Sequence, residues 1–97
     1  MSEERATLLI VEDDQDVADM LSAYFNVQGY STLTANWGED AVKICVSEFP
    51  DLLILDIHLP DIDGFEVAHR LRNNRLTRDI PILFLIENLT GENRLRK

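Results

Sequence analysis

Cysteine is almost absent from this chain, with Cys45 the single one among 97 residues. An intramolecular disulfide is thereby excluded, which agrees with a reducing compartment. No apolar run approaches the ~18 residues that a membrane-spanning helix requires. The start, Met1-Ser2-Glu3-Glu4-Arg5, is short and acidic, so no signal peptide or anchor is expected and the chain reads as cytoplasmic. Positive charge is scarce as well. Nine Lys and Arg stand against eighteen Asp and Glu, a formal net charge of −9 that repels a nucleic-acid backbone. The basic run Arg94-Leu95-Arg96-Lys97 is shorter than the roughly 5–8 residues of a basic patch and reads as a helix face.

The composition is 45% hydrophobic and 28% charged, which is ordinary for a globular protein and unlike a disordered one. At this length the chain holds one domain, residues 1–97, with one core. No repeat, low-complexity stretch or linker divides it. Thr7 to Val11 is a β-branched and aliphatic run that stops at Glu12-Asp13-Asp14, as a buried strand entering a loop would. From Asp16, the residues Val17, Met20, Leu21, Tyr24 and Phe25 recur at helical spacing, with Gly29 placed as a stop. Tyr30 to Ala35 alternates like a shorter strand. Gly38-Glu39-Asp40 opens a helix whose apolar face is Ala41, Val42, Ile44, Cys45, Val46 and Phe49, with Pro50 past its end. Cys45 in that company reads as a core residue rather than a nucleophile.

Leu52 to Leu55 is wholly apolar and ends in Asp56; bounded by Pro50 and Pro60, it fits a buried central strand. Pro60-Asp61-Ile62-Asp63-Gly64 is turn chemistry, followed by Phe65, Val67, Ala68 and Leu71 on a third helix. Arg72 to Asp79 forms a polar connector. Pro81 to Ile86 reads as a fourth buried strand with its proline at the tolerated first position. Strands that alternate with helices in this way call for right-handed crossovers and a doubly wound parallel sheet, an α/β fold.

In such a sheet, ligands bind beyond the carboxyl ends of the strands. Glu12 and Asp13 close strand one and Asp56 closes strand three, so adjacent placement of these strands gathers three carboxylates into one crevice. Carboxylates that close together repel one another, and a divalent cation is the usual remedy. Oxygen donors without a Cys or His cluster favour a hard cation, and so few carboxylates suit Mg²⁺ better than Ca²⁺.

Three blocks in order, Leu9-Ile10-Val11-Glu12-Asp13-Asp14, Asp51 to Val67 around Asp56-Ile57-His58-Leu59-Pro60 and Asp63-Gly64, and Pro81-Ile82-Leu83-Phe84-Leu85, resemble the response-regulator receiver domains of two-component signalling. The resemblance implies a flavodoxin-like fold of strand order 2-1-3-4-5. It also implies a phosphoacceptor at Asp56, a direct metal ligand at Asp13, a second acid at Glu12 acting through metal-bound water, and a third protein ligand in the backbone carbonyl of His58. Mg²⁺ is the implied cofactor, and a histidine kinase or phosphotransfer protein the implied partner. Asp14 is expected to cap or solvate the loop before helix one rather than bind metal.

The chain departs from the family pattern in two ways. The Ser or Thr that ends strand four and reports phosphorylation is replaced by Ile86, which cannot donate a hydrogen bond; Thr90 lies too far along to substitute. The family's lysine after strand five has no counterpart before Lys97, so the expected order is 2-1-3-4 with strand five missing, and helix five with it. An uncovered strand four invites pairing, and a homodimer through its edge or through Glu87 to Lys97 is expected. Two other functions compete with the phosphorelay reading. One is a phosphorylation-independent interaction module. The other is a phosphohydrolase with Asp56 as nucleophile, which would need a second Asp where His58 stands.

Overall fold

The computed structural model of the chain describes residues 4–86. Among these, strands and helices alternate: β1 (Thr7–Val11), α1 (Gln15–Val27), β2 (Ser31–Ala35), α2 (Gly38–Glu48), β3 (Leu52–Asp56), α3 (Gly64–Arg72) and β4 (Ile82–Leu85). The strands form one parallel sheet in the order β2-β1-β3-β4. β1 lies at the centre, with Leu9 between Leu33 on one side and Leu53 on the other.

Side chains of successive strand residues point to opposite faces, and the sheet sorts them accordingly. Leu8 and Ile10 of β1 and Ile54 of β3 meet Leu21 and Phe25 of α1 on one face. Leu9, Val11, Leu53 and Leu55 meet Ala41 and Cys45 of α2 and Val67 and Leu71 of α3 on the other. Covering both faces is why residues 8–11 of β1 and 52–55 of β3 are unbroken apolar runs rather than alternating.

Several sequence expectations need correction. In α1, Met20 and Tyr24 are exposed, at 61% and 57%. The helix rests on Val17, Ala18, Leu21 and Phe25, a narrower stripe than its apolar residues outline. Tyr24 instead stacks edge-on against Phe25, which also meets Tyr30. Phe49 is exposed too, because it is the left-handed cap of α2, with φ of 48°, and turns away from the helix face. The fourth strand is shorter than Pro81 to Ile86 and only partly buried, because β3 is its one strand neighbour among the described residues. Thr90, Lys97 and the proposed contact segment from Glu87 lie outside the described residues.

Candidate functional site

The register places Val11 opposite Leu55, so the next residues, Glu12 just past β1 and Asp56 at the end of β3, lie side by side at the carboxyl edge of the sheet. Both are buried, at 1% and 2% exposure, whereas Asp13 is exposed. One carboxylate oxygen from each of Glu12, Asp13 and Asp56 lies within 4.8 Å of the other two. The three acids singled out from the sequence thus converge.

Local backbone contacts set each of them. The N–H of Glu12 continues the ladder to the carbonyl of Ala35 at 3.0 Å, and the side-chain amide of Asn36 donates to the Glu12 carbonyl at 2.9 Å. Glu12 Oε2 accepts the N–H of Asp14 at 3.1 Å, which folds the loop over the carboxylate. Asp14 caps α1, its Oδ1 accepting the N–H groups of Asp16 and Val17. It is spent on the helix, as its position suggested.

On the other side, the N–H of His58 donates to Asp56 Oδ1 at 3.0 Å and orients that carboxylate. The imidazole of His58 is no part of the acid cluster, and the residue is exposed. The loop returns under the site where the N–H of Gly64 meets the carbonyl of Ile57 at 2.8 Å. A Cβ at Gly64 would sit 2.6 Å from the carbonyl oxygen of Asp56 and 2.9 Å from Cα of Ile57, so only glycine allows this approach. Asp63 then caps α3 through the N–H of Glu66.

Two residues that hold this edge together escaped the sequence reading. Asn36 looks like an ordinary loop residue. Asp61 looks like turn chemistry, yet its carboxylate accepts the N–H groups of Gly38 and Glu39, at 2.8 and 2.9 Å, and so caps a helix 22 residues upstream. The available signal was the start of α2 itself, where Trp37 offers no capping side chain.

The donor set is oxygen alone, with two dry carboxylates beside one at the surface. That chemistry fits a small hard cation such as Mg²⁺, which is bound by few carboxylates and keeps part of its water. Ile86, at the position expected for a hydroxyl, is apolar and 48% exposed. Cys45 has no place in the site: it is buried, and burial pushes its thiol up to about 11, far from a reactive thiolate. A surface hollow at the far end of α3, lined by His69, Arg70, Asn73, Asn74, Arg75 and Leu76, shares no residue with the acid cluster.

Comparison with known proteins agrees with this architecture. A family model described as the response regulator receiver domain matches residues 8–96. The transcriptional regulatory protein AfsQ1 of Streptomyces coelicolor is 42% identical over 79 residues, 81% of this chain and 34% of that protein. The response regulator SaeR of Staphylococcus epidermidis is 36% identical over 78 residues, 80% of this chain and 33% of its own length. The chain therefore spans about a third of the length of these curated relatives. The N-terminal domain of a response regulator receiver protein from Methanoculleus marisnigri superposes with a TM-score of 0.79 at 31% identity, over 91% of this chain and 76% of that one. The receiver domain of a sensor histidine kinase from Pseudomonas aeruginosa, whose structure has a magnesium ion coordinated in the active site cleft, gives 0.84 at 25% identity, over 94% and 75%. Sequence, sheet order and the acidic edge lead to one conclusion: the chain belongs to the response regulator receiver domain family.

Proposed function

We propose that this domain accepts a phosphoryl group on Asp56 from a histidine kinase or phosphotransfer protein, in a Mg²⁺-dependent reaction, and signals through protein contacts. The observation that carries the reading is the convergence of Glu12, Asp13 and Asp56 at the sheet edge. In the proposed step, a carboxylate oxygen of Asp56 attacks phosphorus in line; the P–O bond to Asp56 forms as the bond from phosphorus to the donor's imidazole nitrogen breaks, and that nitrogen takes up a proton. Asp13, Asp56 and the carbonyl of His58 would hold Mg²⁺ directly, and Glu12 through water. When bound, the cation offsets the charge that accumulates between carboxylate and phosphoryl oxygens. The chain's own part is positioning: the His58 N–H fixes the Asp56 carboxylate, and the buried Glu12 backs the cluster.

Intact-mass measurement after incubation with acetyl phosphate and Mg²⁺ tests the proposal. A single added phosphoryl group is expected on the parent, none on Asp56→Asn, and little once EDTA has removed the metal. Label on Asp13, Asp14 or His58 would defeat the assignment.

One observation favours a second reading, a receiver-like module that docks its partner without phosphorylation. Ile86 stands where a hydroxyl would bond the phosphoryl oxygen, and its side chain offers no donor. Loss of one preorganised donor at a developing charge costs about 10²–10³ in rate. Slow labelling of Asp56 that leaves partner binding unchanged would support this module.

A further inference from the structure

We infer that Asp61 is a positioning residue for the acidic site: by bonding the first turn of α2 it pins the loop between β3 and α3, and with it the backbone of His58, against Asp56. The inference rests on the reading of Asp56, Asp13 and His58 given above.

The loop runs from Ile57 to Asp63 and is tied at three places. At its start, the His58 N–H meets Asp56 Oδ1. At its end, the Gly64 N–H closes onto the Ile57 carbonyl. In the middle, Asp61 reaches a different element, its Oδ1 accepting from Gly38 at 2.8 Å and its Oδ2 from Glu39 at 2.9 Å. The helix needs this contact, since its own N-cap residue, Trp37, makes no side-chain bond.

The contact is also sterically close. A Cβ on Gly38 would fall 2.5 Å from Cγ1 of Ile62, 2.9 Å from Cγ2 of Val67 and 3.1 Å from the carbonyl oxygen of Ile62. The start of α2 and the loop therefore meet through backbone at one point and side chain at the next, leaving little freedom to slide. Desolvation against the start of α2 pulls the exposed Asp61 carboxyl up, but the N–H donors of Glu39 and Gly38 outweigh it and leave it below its ordinary range. The tether is thus ionised at neutral pH, as an anion at a helix N-terminus should be. A carbonyl that is to bind metal must be held in place by its supports, and the cost of loosening them falls on metal affinity.

The test is a Mg²⁺ titration of the whole chain, followed by Trp37 fluorescence or amide resonances, together with hydrogen exchange of the 57–64 amides in the absence of metal. Asp61→Ala should bind Mg²⁺ about tenfold more weakly, at the low end for loss of a supporting group, and its loop amides should exchange faster. Asp61→Asn, which keeps one oxygen for one of the two N–H groups, should fall between parent and Ala. Arg70→Ala serves as the control: it breaks the ion pairs to Glu39 and Glu66, both at 3.0 Å, and loosens α2 from α3 without touching Asp61. Its Mg²⁺ affinity should equal the parent's. Parent affinity in Asp61→Ala, or an equal loss in Arg70→Ala, overturns the positioning role. Should the Ala variant not fold, the Asn variant decides, with weaker binding in support and parent binding against. Asp13→Ala runs beside them: if it loses Mg²⁺ while Asp61→Ala keeps it, the site reading stands and the positioning role falls. A parent that binds no Mg²⁺ overturns both.

Discussion

Asp13 is the exposed member of the acid cluster, and that separates its function from its structural role. Removing a surface carboxylate leaves no cavity and no orphaned polar group, and it relieves repulsion with Glu12 and Asp56, so Asp13→Ala should not lower the stability of the metal-free domain. The same change should abolish Mg²⁺ binding, because the site has few carboxylates to lose. Titration and urea unfolding of one sample check both halves, and unchanged Mg²⁺ affinity would remove Asp13 from the site. Asp14 is predicted to behave in the opposite way. It caps α1 through Asp16 and Val17, so Asp14→Ala should cost about 1 kcal/mol of stability and leave metal binding intact. Asp61 carries a pH signature. Its folded pKa lies below the ordinary carboxyl value, so its contribution to stability is present above the unfolded pKa, near 4, and is lost as pH falls through the folded one. The stability difference between the parent and Asp61→Asn should therefore be largest near neutrality and shrink progressively below about pH 4. Unfolding at a series of pH values reads this directly, and a gap that widened in acid would contradict it.

At the scale of elements, the sheet was the most legible part of the sequence. Residues 8–11 of β1 and 52–55 of β3 are continuous apolar runs because helices cover both faces of the sheet, and each run leads directly into the acids that mark the site. Glu12, Asp13 and Asp56 could be placed together from strand ends alone. The helices were read less well, and the errors share a cause. Periodicity says which residues share a helix face, but not how much of that face its neighbours cover. Met20, Tyr24 and Phe65 are apolar at helical spacing and still exposed, because the sheet beneath takes only part of the stripe. The Asp61 cap was invisible for another reason: it joins positions that are distant in sequence and have no shared pattern. The difference between central strand and helix flank can be measured. Leu9 is fully buried between β2 and β3, so Leu9→Ala should cost about 2–5 kcal/mol through lost transfer energy and a residual cavity. Met20→Ala, on the exposed flank, should cost well under about 1 kcal/mol. Equal losses in urea unfolding would mean that α1 is packed differently from the description above.

At the scale of the whole molecule, the sheet has two edges among the described residues. β1 and β3 have a strand on each side, whereas β2 pairs only with β1 and β4 only with β3. β4 is apolar throughout, with Leu83 and the adjacent Ile86 at 53% and 48% exposure and Phe84 half-buried against Phe65. A parallel strand of that composition is built for cover on both faces and a neighbour on each side, and its outer N–H and C=O groups form a template for another strand. In a longer chain that added a fifth strand, the edge would be filled from within. For these 97 residues, the prediction is association through β4 into a dimer or larger assembly. Because the contact would run along backbone and the Leu83 side chain, a charge there should break it with little effect on the fold: Leu83 is exposed, so Leu83→Lys buries no lysine in the monomer. Sedimentation across a wide concentration range should show the parent gaining mass with concentration while Leu83→Lys stays monomeric and folded. A parent that is folded and monomeric at the highest concentration reached would show that the β4 edge needs no strand from a second copy.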